Sequence, residues 1–362
     1  MKRVITFILA GVVLALALTP AWAQLPEEVT EALPERAEEL LEDLGQTAVD
    51  AGTMQRGFRI LGEKAWDMLT ENFRASLRVM VVLLAIVLLH GLTESIFQAC
   101  DGKMANAVTL AFVLVVTMTT AGDVKTMIGM TTQTLEELDI LAKALLPTLA
   151  AAVAAGGAIV SAGVYQVGTV FFANLLLSVI RNILLPLVYC YVAAVTANAI
   201  LPQMPLKGLA SALRKGTTWL LTGMLVVFTG YLSITGAAAN STDSLTLQLT
   251  RSAISTAVPV VGGIISRAAG SLLAGAGLLK NTLGVLGMLA VLATCLSPFI
   301  SMGVQYLLYK LTALLAGLSG GGSIVTLIDA LGSAFGLVLG MVGACAALLL
   351  ISITSSVSLV LL

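Results

Sequence analysis

Long apolar stretches, separated by short polar breaks, occupy most of the chain after residue 76. A helix of about 20 apolar residues is long enough to cross the hydrocarbon core of a bilayer. The pattern therefore predicts an all-α, polytopic transmembrane helical bundle with about seven to nine spans. We place these spans at residues 77–97, 105–122, 144–163, 165–180, 183–201, 217–236, 259–279, 282–303 and 330–353.

The amino terminus has the pattern of a cleavable signal peptide over residues 1–23. Two bases precede an apolar run from Val4 to Leu18, and Ala21 and Ala23 provide the small residues that signal peptidase accepts. The mature chain would then begin at Gln24, outside the cytoplasm. An uncleaved anchor is the alternative, and it places Gln24 on the same side of the membrane.

Residues 24–76 form the one substantial polar segment, which we predict to be acidic, amphipathic, helical and extracytoplasmic. Apolar residues recur there at helical spacing among acidic ones, and the pattern favours a docking or packing element, with a mere spacer as the alternative. Two stripes carry this pattern: Leu33, Ala37, Leu40, Leu41 and Leu44, and then Phe58, Leu61, Ala65, Met68 and Leu69.

Charge placement predicts the orientation of the spans. Residues 77–236 form a first membrane group, 237–258 an extracytoplasmic linker, and 259–362 a glycine-rich second group. The acidic stretch 123–143 is expected outside, whereas the basic stretch 202–216, which has no acid, is expected in the cytoplasm. This arrangement requires a tight external turn near Arg181 and Asn182, between two spans.

Composition excludes several classes of protein. Of 362 residues, 58% are apolar and 11% are charged, whereas a soluble globule has roughly a quarter charged residues. A net charge of -1 disfavours nucleic-acid binding. One histidine and four widely spaced cysteines form no metal motif, and no phosphate-binding loop or nucleophile elbow is present. We therefore expect no enzyme, no cofactor and no metal.

Charged residues at membrane depth are the candidates for function, because their insertion is costly. His90 and Glu94 lie one helical turn apart and could form a proton relay, a substrate ligand or a structural pair. Lys310 and Asp329 flank one helix break, and we predict that they pair. Lys280 and Lys310 could alternatively be anchors whose ammonium groups extend to the membrane surface.

Glycines mark two further features. Gly320, Gly321 and Gly322 follow the stretch 306–318, which looks too short to cross, so the two together predict a discontinuous or re-entrant helix that lines a cavity. A simple loop between two spans is the alternative.

The final span carries small residues at every fourth position: Gly332, Gly336, Gly340 and Ala344. This ridge would pack against another helix, either in the same chain or in a second copy of it.

Residues 278–287, Leu-Leu-Lys-Asn-Thr-Leu-Gly-Val-Leu-Gly, include Lys280 and Asn281. With Tyr309-Lys310-Leu311-Thr312-Ala313, the glycine run and Asp329, they resemble the stage III sporulation protein AE family in order and spacing. The resemblance covers nearly the whole chain and is best after Thr246.

The resemblance implies a permease-like subunit of the channel, or feeding apparatus, that links mother cell and forespore and supports late forespore gene expression. It implies a place in the outer forespore membrane. The implied partners are the other stage III sporulation A proteins, including an export-type ATPase, and a forespore-side channel partner. An autonomous secondary transporter coupled through His90 and Glu94 is the alternative.

Overall fold

The computed structural model describes residues 27–44, 51–98, 102–155, 159–200, 206–257, 262–318 and 322–358. Almost all of these residues are helical, and none of them forms a strand. The all-α prediction is therefore confirmed. The predicted signal peptide at residues 1–23 lies outside the described residues.

Two short helices precede a set of long ones. The short pair is α1 (Glu27–Glu31) and α2 (Glu35–Leu44). The long helices are α3 (Ala51–Gln98), α4 (Gly102–Ala155), α5 (Ile159–Val179), α6 (Leu185–Ile200), α7 (Leu206–Ala257), α8 (Gly262–Gly317) and α9 (Ser323–Ser358), and a π-helical turn (Ile180–Leu184) joins α5 to α6.

Six stretches in the described part of the chain are long and apolar enough to cross a membrane. They are Thr53–Ile96, Ala107–Ala155, Ala162–Ile200, Leu206–Ile234, Leu279–Gly317 and Ser323–Val357. The hydropathy pattern predicts about seven to nine spans of minimal length. Among the described residues the helices are longer than these minimal spans, because several predicted turns are helical.

The predicted external loop at residues 123–143 is one of these, since it forms the middle of α4. Its polar side chains bond to one another one turn apart: Gln133 donates to Glu137 at 2.9 Å and Lys143 to Asp139 at 2.8 Å. Leu135, Leu138 and Leu141, between them in sequence, are buried. A charged face beside a buried apolar face makes an amphipathic helix, not a loop.

The predicted tight turn at Arg181 and Asn182 is also wrong. The chain passes through both residues in the π-helical turn, where the Leu185 N–H donates to the Ile180 carbonyl, five residues earlier. Pro186 has no N–H to donate to the carbonyl four residues before it, and its ring would press on that carbonyl. One wider turn relieves this conflict without reversing the chain.

Two other stretches that we predict to lie apart from the spans belong to long helices. Residues 306–317 are the end of α8, a 56-residue helix that runs through Pro298, so no separate short helix exists there. The stretch 237–257, predicted as a linker, continues α7. The glycine run therefore joins two long helices and does not interrupt one.

The long helices pack as an antiparallel bundle. His90, near the end of α3, lies 3.1 Å from Thr109, near the start of α4. Gly317, at the end of α8, faces Val325, at the start of α9. We name this end of the bundle the histidine end; α6 ends and α7 starts on the same side.

At the opposite end, Leu145 of α4 packs on Gly287 of α8, and the Lys280 ammonium donates to the Val357 carbonyl of α9 at 2.6 Å. Tyr231 of α7 donates to the Val164 carbonyl of α5 at 2.9 Å. We name this the carboxyl end, after the end of α9.

The acidic helix α2 packs against the bundle. Ala37 and Leu40 are buried, while Arg36 lies 3.9 Å from Glu137 of α4 and Glu39 lies 3.8 Å from Lys64 of α3. The apolar side of α2 is thus covered within the chain.

Candidate functional site

The ammonium group of Lys310 is the centre of a polar cluster between α8 and α9. It donates to the Asp329 carboxylate at 2.7 Å, to the Ser333 hydroxyl at 2.8 Å and to the Asp329 carbonyl at 3.0 Å. The structure thus brings together the two charges that the sequence predicts to pair. Three oxygens saturate the donors of the ammonium group, so its insertion cost is compensated within the chain.

Glycines on α9 let α8 approach closely beside this cluster. A methyl group at Gly332 would lie 3.1 Å from Cβ of Tyr309 and 3.5 Å from the Lys310 backbone nitrogen. One turn further, a methyl group at Gly336 would lie 3.0 Å from the Tyr306 ring. Van der Waals packing of this kind holds helices together where lipid removes the hydrophobic drive.

Gly340 does not continue this contact, contrary to the every-fourth-residue prediction. It is exposed, a methyl group there would meet no heavy atom within 4 Å, and Gly343 faces Phe299 in its place. At 3.6 residues per turn, a residue eight positions after Gly332 points about 80° away from Gly332 around the helix axis. Ala344 is buried, but on the same argument it points away from the Gly332 direction.

A second polar contact joins α8 to the middle of α4. The Tyr309 hydroxyl donates to the Asp123 carboxylate at 2.7 Å, and the Tyr309 ring packs on Phe335 of α9 with the ring centroids 5.1 Å apart. None of the ion pairs among the described residues includes Asp123. Among the described residues, the partner of the Asp123 carboxyl group is therefore a hydroxyl and not a cation.

A cavity of about 120 Å³ lies beside Asp123, between α3, α4 and α8. Its lining combines apolar side chains with five oxygen-bearing ones: Ser76, Asp123, Gln305, Tyr309 and Thr312. A space of this size and polarity can hold water or a small polar ligand.

A fourth helix contacts the same region. The Tyr191 hydroxyl of α6 donates to the Ala330 carbonyl of α9 at 3.1 Å, next to Asp329. Helices α4, α6, α8 and α9 thus all place polar groups at one level of the bundle. We name this level, defined by Asp123, Tyr191, Tyr309, Lys310 and Asp329, the polar layer.

The predicted pair of His90 and Glu94 lies nearer the histidine end. His90 is buried, its Nδ1 is 3.7 Å from the Glu94 carboxylate, and its Nε2 is within hydrogen-bonding distance of Thr109. The ring packs edge-on against Phe112, and Gly322 lies next to it. The structure therefore places one member of the glycine run beside the histidine, whereas Gly320 and Gly321 lie outside the described residues.

Lys280 is held inside the carboxyl end of the bundle. Its side chain is 3% exposed and its ammonium donates to the Val357 carbonyl, so it does not reach the surface as a membrane anchor would. The neighbouring Asn281 is exposed. Within the described stretches, no three His, Cys, Asp or Glu side chains are grouped closely enough to hold a metal ion.

Sequence reasoning missed Asp123, Tyr191 and Tyr309 as parts of this site. Asp123 carried one usable signal, because it directly follows the apolar stretch 105–122. Tyr309 directly precedes Lys310 in the family-like stretch, whereas Tyr191 lies within an apolar stretch and carried no signal.

The sequence profile of the family described as stage III sporulation protein AE matches residues 41–359. Stage III sporulation protein AE of Bacillus subtilis (strain 168) is 27% identical over 251 residues, which cover 69% of this chain and 62% of that relative. The match thus spans less than two thirds of the relative's length. No solved structure matches the chain.

Proposed function

The chain belongs to the stage III sporulation protein AE family, and from this premise we propose that it is a permease-like membrane subunit of the channel between mother cell and forespore. Family membership supports a role in sporulation, and the family is not a known class of enzyme. The observation that carries the proposal is this match over nearly the whole bundle, together with apolar helices that meet at the polar layer.

A conducting or assembling subunit needs polar groups where its apolar helices meet. The polar layer meets this need, because four helices contribute to it, Tyr309 of α8 bonds Asp123 of α4, and Lys310 of α8 bonds Asp329 of α9. Ionisable groups at membrane depth are rare, and they usually mark substrate or ion pathways.

The proposed topology keeps Gln24 outside the cytoplasm and the basic start of α7 inside. Three long helical stretches, α3, α4 and the joined α5 and α6, separate these two points. An odd number of crossings puts them on opposite sides, as Lys207, Arg214 and Lys215 require. Two turns predicted between these points are helical in the structure, which lowers the number of crossings between them by two. The predicted parity of the crossings is therefore unaffected.

We place the protein in the mother-cell membrane around the forespore, with the histidine end towards the mother-cell cytoplasm. The other stage III sporulation A proteins, including an export-type ATPase, and a forespore-side channel partner would complete the apparatus. The chain itself carries no nucleotide-binding motif, so energy would come from the ATPase. A second copy of the chain is a further proposed partner.

The experiment is affinity purification of the tagged, full-length chain from sporulating cells, with the membrane solubilised in mild detergent. We expect the other stage III sporulation A proteins to co-purify in fixed ratio. An unrelated multi-pass protein with the same tag is the control. Recovery of the chain without any of them would contradict the subunit proposal.

An autonomous secondary transporter is the second candidate, favoured by the buried His90 beside Glu94. Purified protein in vesicles would then dissipate a proton gradient when a substrate mixture is added, and Glu94→Gln would abolish this. If Glu94→Gln leaves sporulation intact and vesicles show no proton movement, the transporter candidate is rejected.

A further inference from the structure

We propose that the cavity beside Asp123 is a binding site for one monovalent alkali-metal cation of the Na⁺ class. The cavity lies between three helices that are distant in sequence, with Ser76 on α3, Asp123 on α4 and Gln305 on α8. A bound cation would therefore link α3, α4 and α8 at the polar layer.

The carboxylate of Asp123 provides the charge for such a site. One of its oxygens, Oδ2, accepts the hydrogen bond from Tyr309 at 2.7 Å. Within the described part of the chain it forms no ion pair, although carboxylates surrounded by apolar helices are normally paired. The other oxygen, Oδ1, has no hydrogen-bond donor among the described residues, and Asp123 lines the cavity.

Neutral oxygens complete the set of ligands. Ser76, Gln305 and Thr312 line the cavity, and each has a side-chain oxygen. The Thr312 hydroxyl donates its own proton to the Leu308 carbonyl at 2.7 Å, which leaves its lone pairs available to accept or to coordinate. Hard cations take oxygen ligands of this kind rather than nitrogen or sulfur.

Charge and size both favour a monovalent ion. The cavity lining contains one carboxylate, that of Asp123. A monovalent ion therefore makes the site neutral, whereas a divalent ion leaves a net positive charge. The volume of about 120 Å³ compares with about 30 Å³ for one water molecule, so an ion and a few waters fit. This site does not depend on a conducting role, since a scaffold could hold the same ion.

The test uses the purified full-length protein in detergent micelles, with thermal unfolding followed by circular dichroism. NaCl replaces choline chloride stepwise at constant ionic strength, and radiolabelled Na⁺ binding is measured in parallel. We expect a saturable rise in Tm and binding of about one Na⁺ per chain. Because a ligand of the folded state raises stability with concentration, both readouts should give one Kd.

Asp123→Asn is the central variant, because it keeps the shape and an acceptor for Tyr309 while it removes the charge. We expect it to weaken Na⁺ binding by at least about tenfold and to abolish the rise in Tm. Gln305→Leu should weaken binding to a lesser degree. Asp139→Asn is the matched control, since it removes a carboxylate from the same helix outside the cavity and should leave Na⁺ binding unchanged.

Three outcomes would overturn the proposal. One is a Tm of the wild type that is the same in choline chloride and in NaCl, which would leave only an effect of ionic strength. Another is Na⁺ binding that survives in Asp123→Asn. The third is a folded wild type that binds no Na⁺, which would mean that a proton neutralises Asp123. None of these outcomes bears on co-purification with the sporulation proteins, so failure here is distinct from failure of the proposed function.

Discussion

Lys310 and Asp329 lie on two antiparallel helices that the glycine run connects, and their side chains meet at 2.7 Å. The pair is partly exposed, and the same ammonium group also bonds Ser333. The contact therefore fixes how the end of α8 lies along the start of α9. Through this contact, Asp329 of α9 joins the polar layer.

Charge reversal of one partner should destabilise the bundle. Lys310→Glu puts two carboxylates side by side, and Asp329→Lys puts two ammonium groups together. Each should cost about 1–3 kcal/mol of unfolding free energy, less than for a fully buried pair because water reaches Asp329. The double reversal should recover most of this loss, as measured by thermal unfolding in detergent.

The exposed pair of Arg59 and Glu63 on α3 is the control for that series. Its reversals should change stability by less than about 1 kcal/mol, since surface ion pairs contribute little. A double reversal of Lys310 and Asp329 no better than either single one would show that their pairing is not the reason for the effect.

Close packing of α8 on α9 should be sensitive to added volume at Gly332. Gly332→Val brings a side chain against Tyr309 and the Lys310 backbone, and we expect a loss of about 1–3 kcal/mol from overpacking. Gly340→Val on the same helix meets nothing within 4 Å and should be neutral or slightly stabilising. Equal losses from both, by thermal unfolding, would contradict the close approach at Gly332.

Removal of the Tyr309 hydroxyl should leave the Asp123 carboxylate without its donor. Tyr309→Phe is expected to cost about 1–2 kcal/mol, whereas Tyr189→Phe at an exposed position should cost nothing measurable. In the background of Asp123→Ala, the effect of Tyr309→Phe should become much smaller. Additive losses would mean that the hydroxyl acts through other partners.

Topology can be tested by single cysteines in a chain without its native cysteines, of which Cys190 is exposed. In intact protoplasts of non-sporulating cells that express the chain in the cell membrane, a membrane-impermeant thiol reagent should label Thr70→Cys on α3 and should not label Ser211→Cys on α7. Both positions are exposed in the structure. Protection of the first or labelling of the second, in cells that remain sealed, would reverse the proposed orientation.

The sequence predicts local relationships of this fold well. His90 and Glu94 share a helix face because they are one turn apart, and Lys310 and Asp329 meet because they flank one hairpin connection. Such contacts follow from helix geometry and short connections alone.

Long-range packing explains what the sequence did not reveal. The stretch 123–143 looks like a loop by hydropathy, but neighbouring helices cover the side that carries Leu135, so the helix continues. Tyr309 and Asp123 are 186 residues apart in sequence, and no local pattern connects them. The π-helical turn before Pro186 replaces a chain reversal, a choice that depends on the packing of α5 and α6 in the bundle.

The most direct measurement is complementation of an endospore-forming strain that lacks its own copy of this protein, with a fluorescent reporter of late forespore gene expression after engulfment. The account predicts that the full-length chain restores the reporter and that Lys310→Glu does not, while the double reversal of Lys310 and Asp329 does. Full late forespore expression in the strain without this protein would contradict the account.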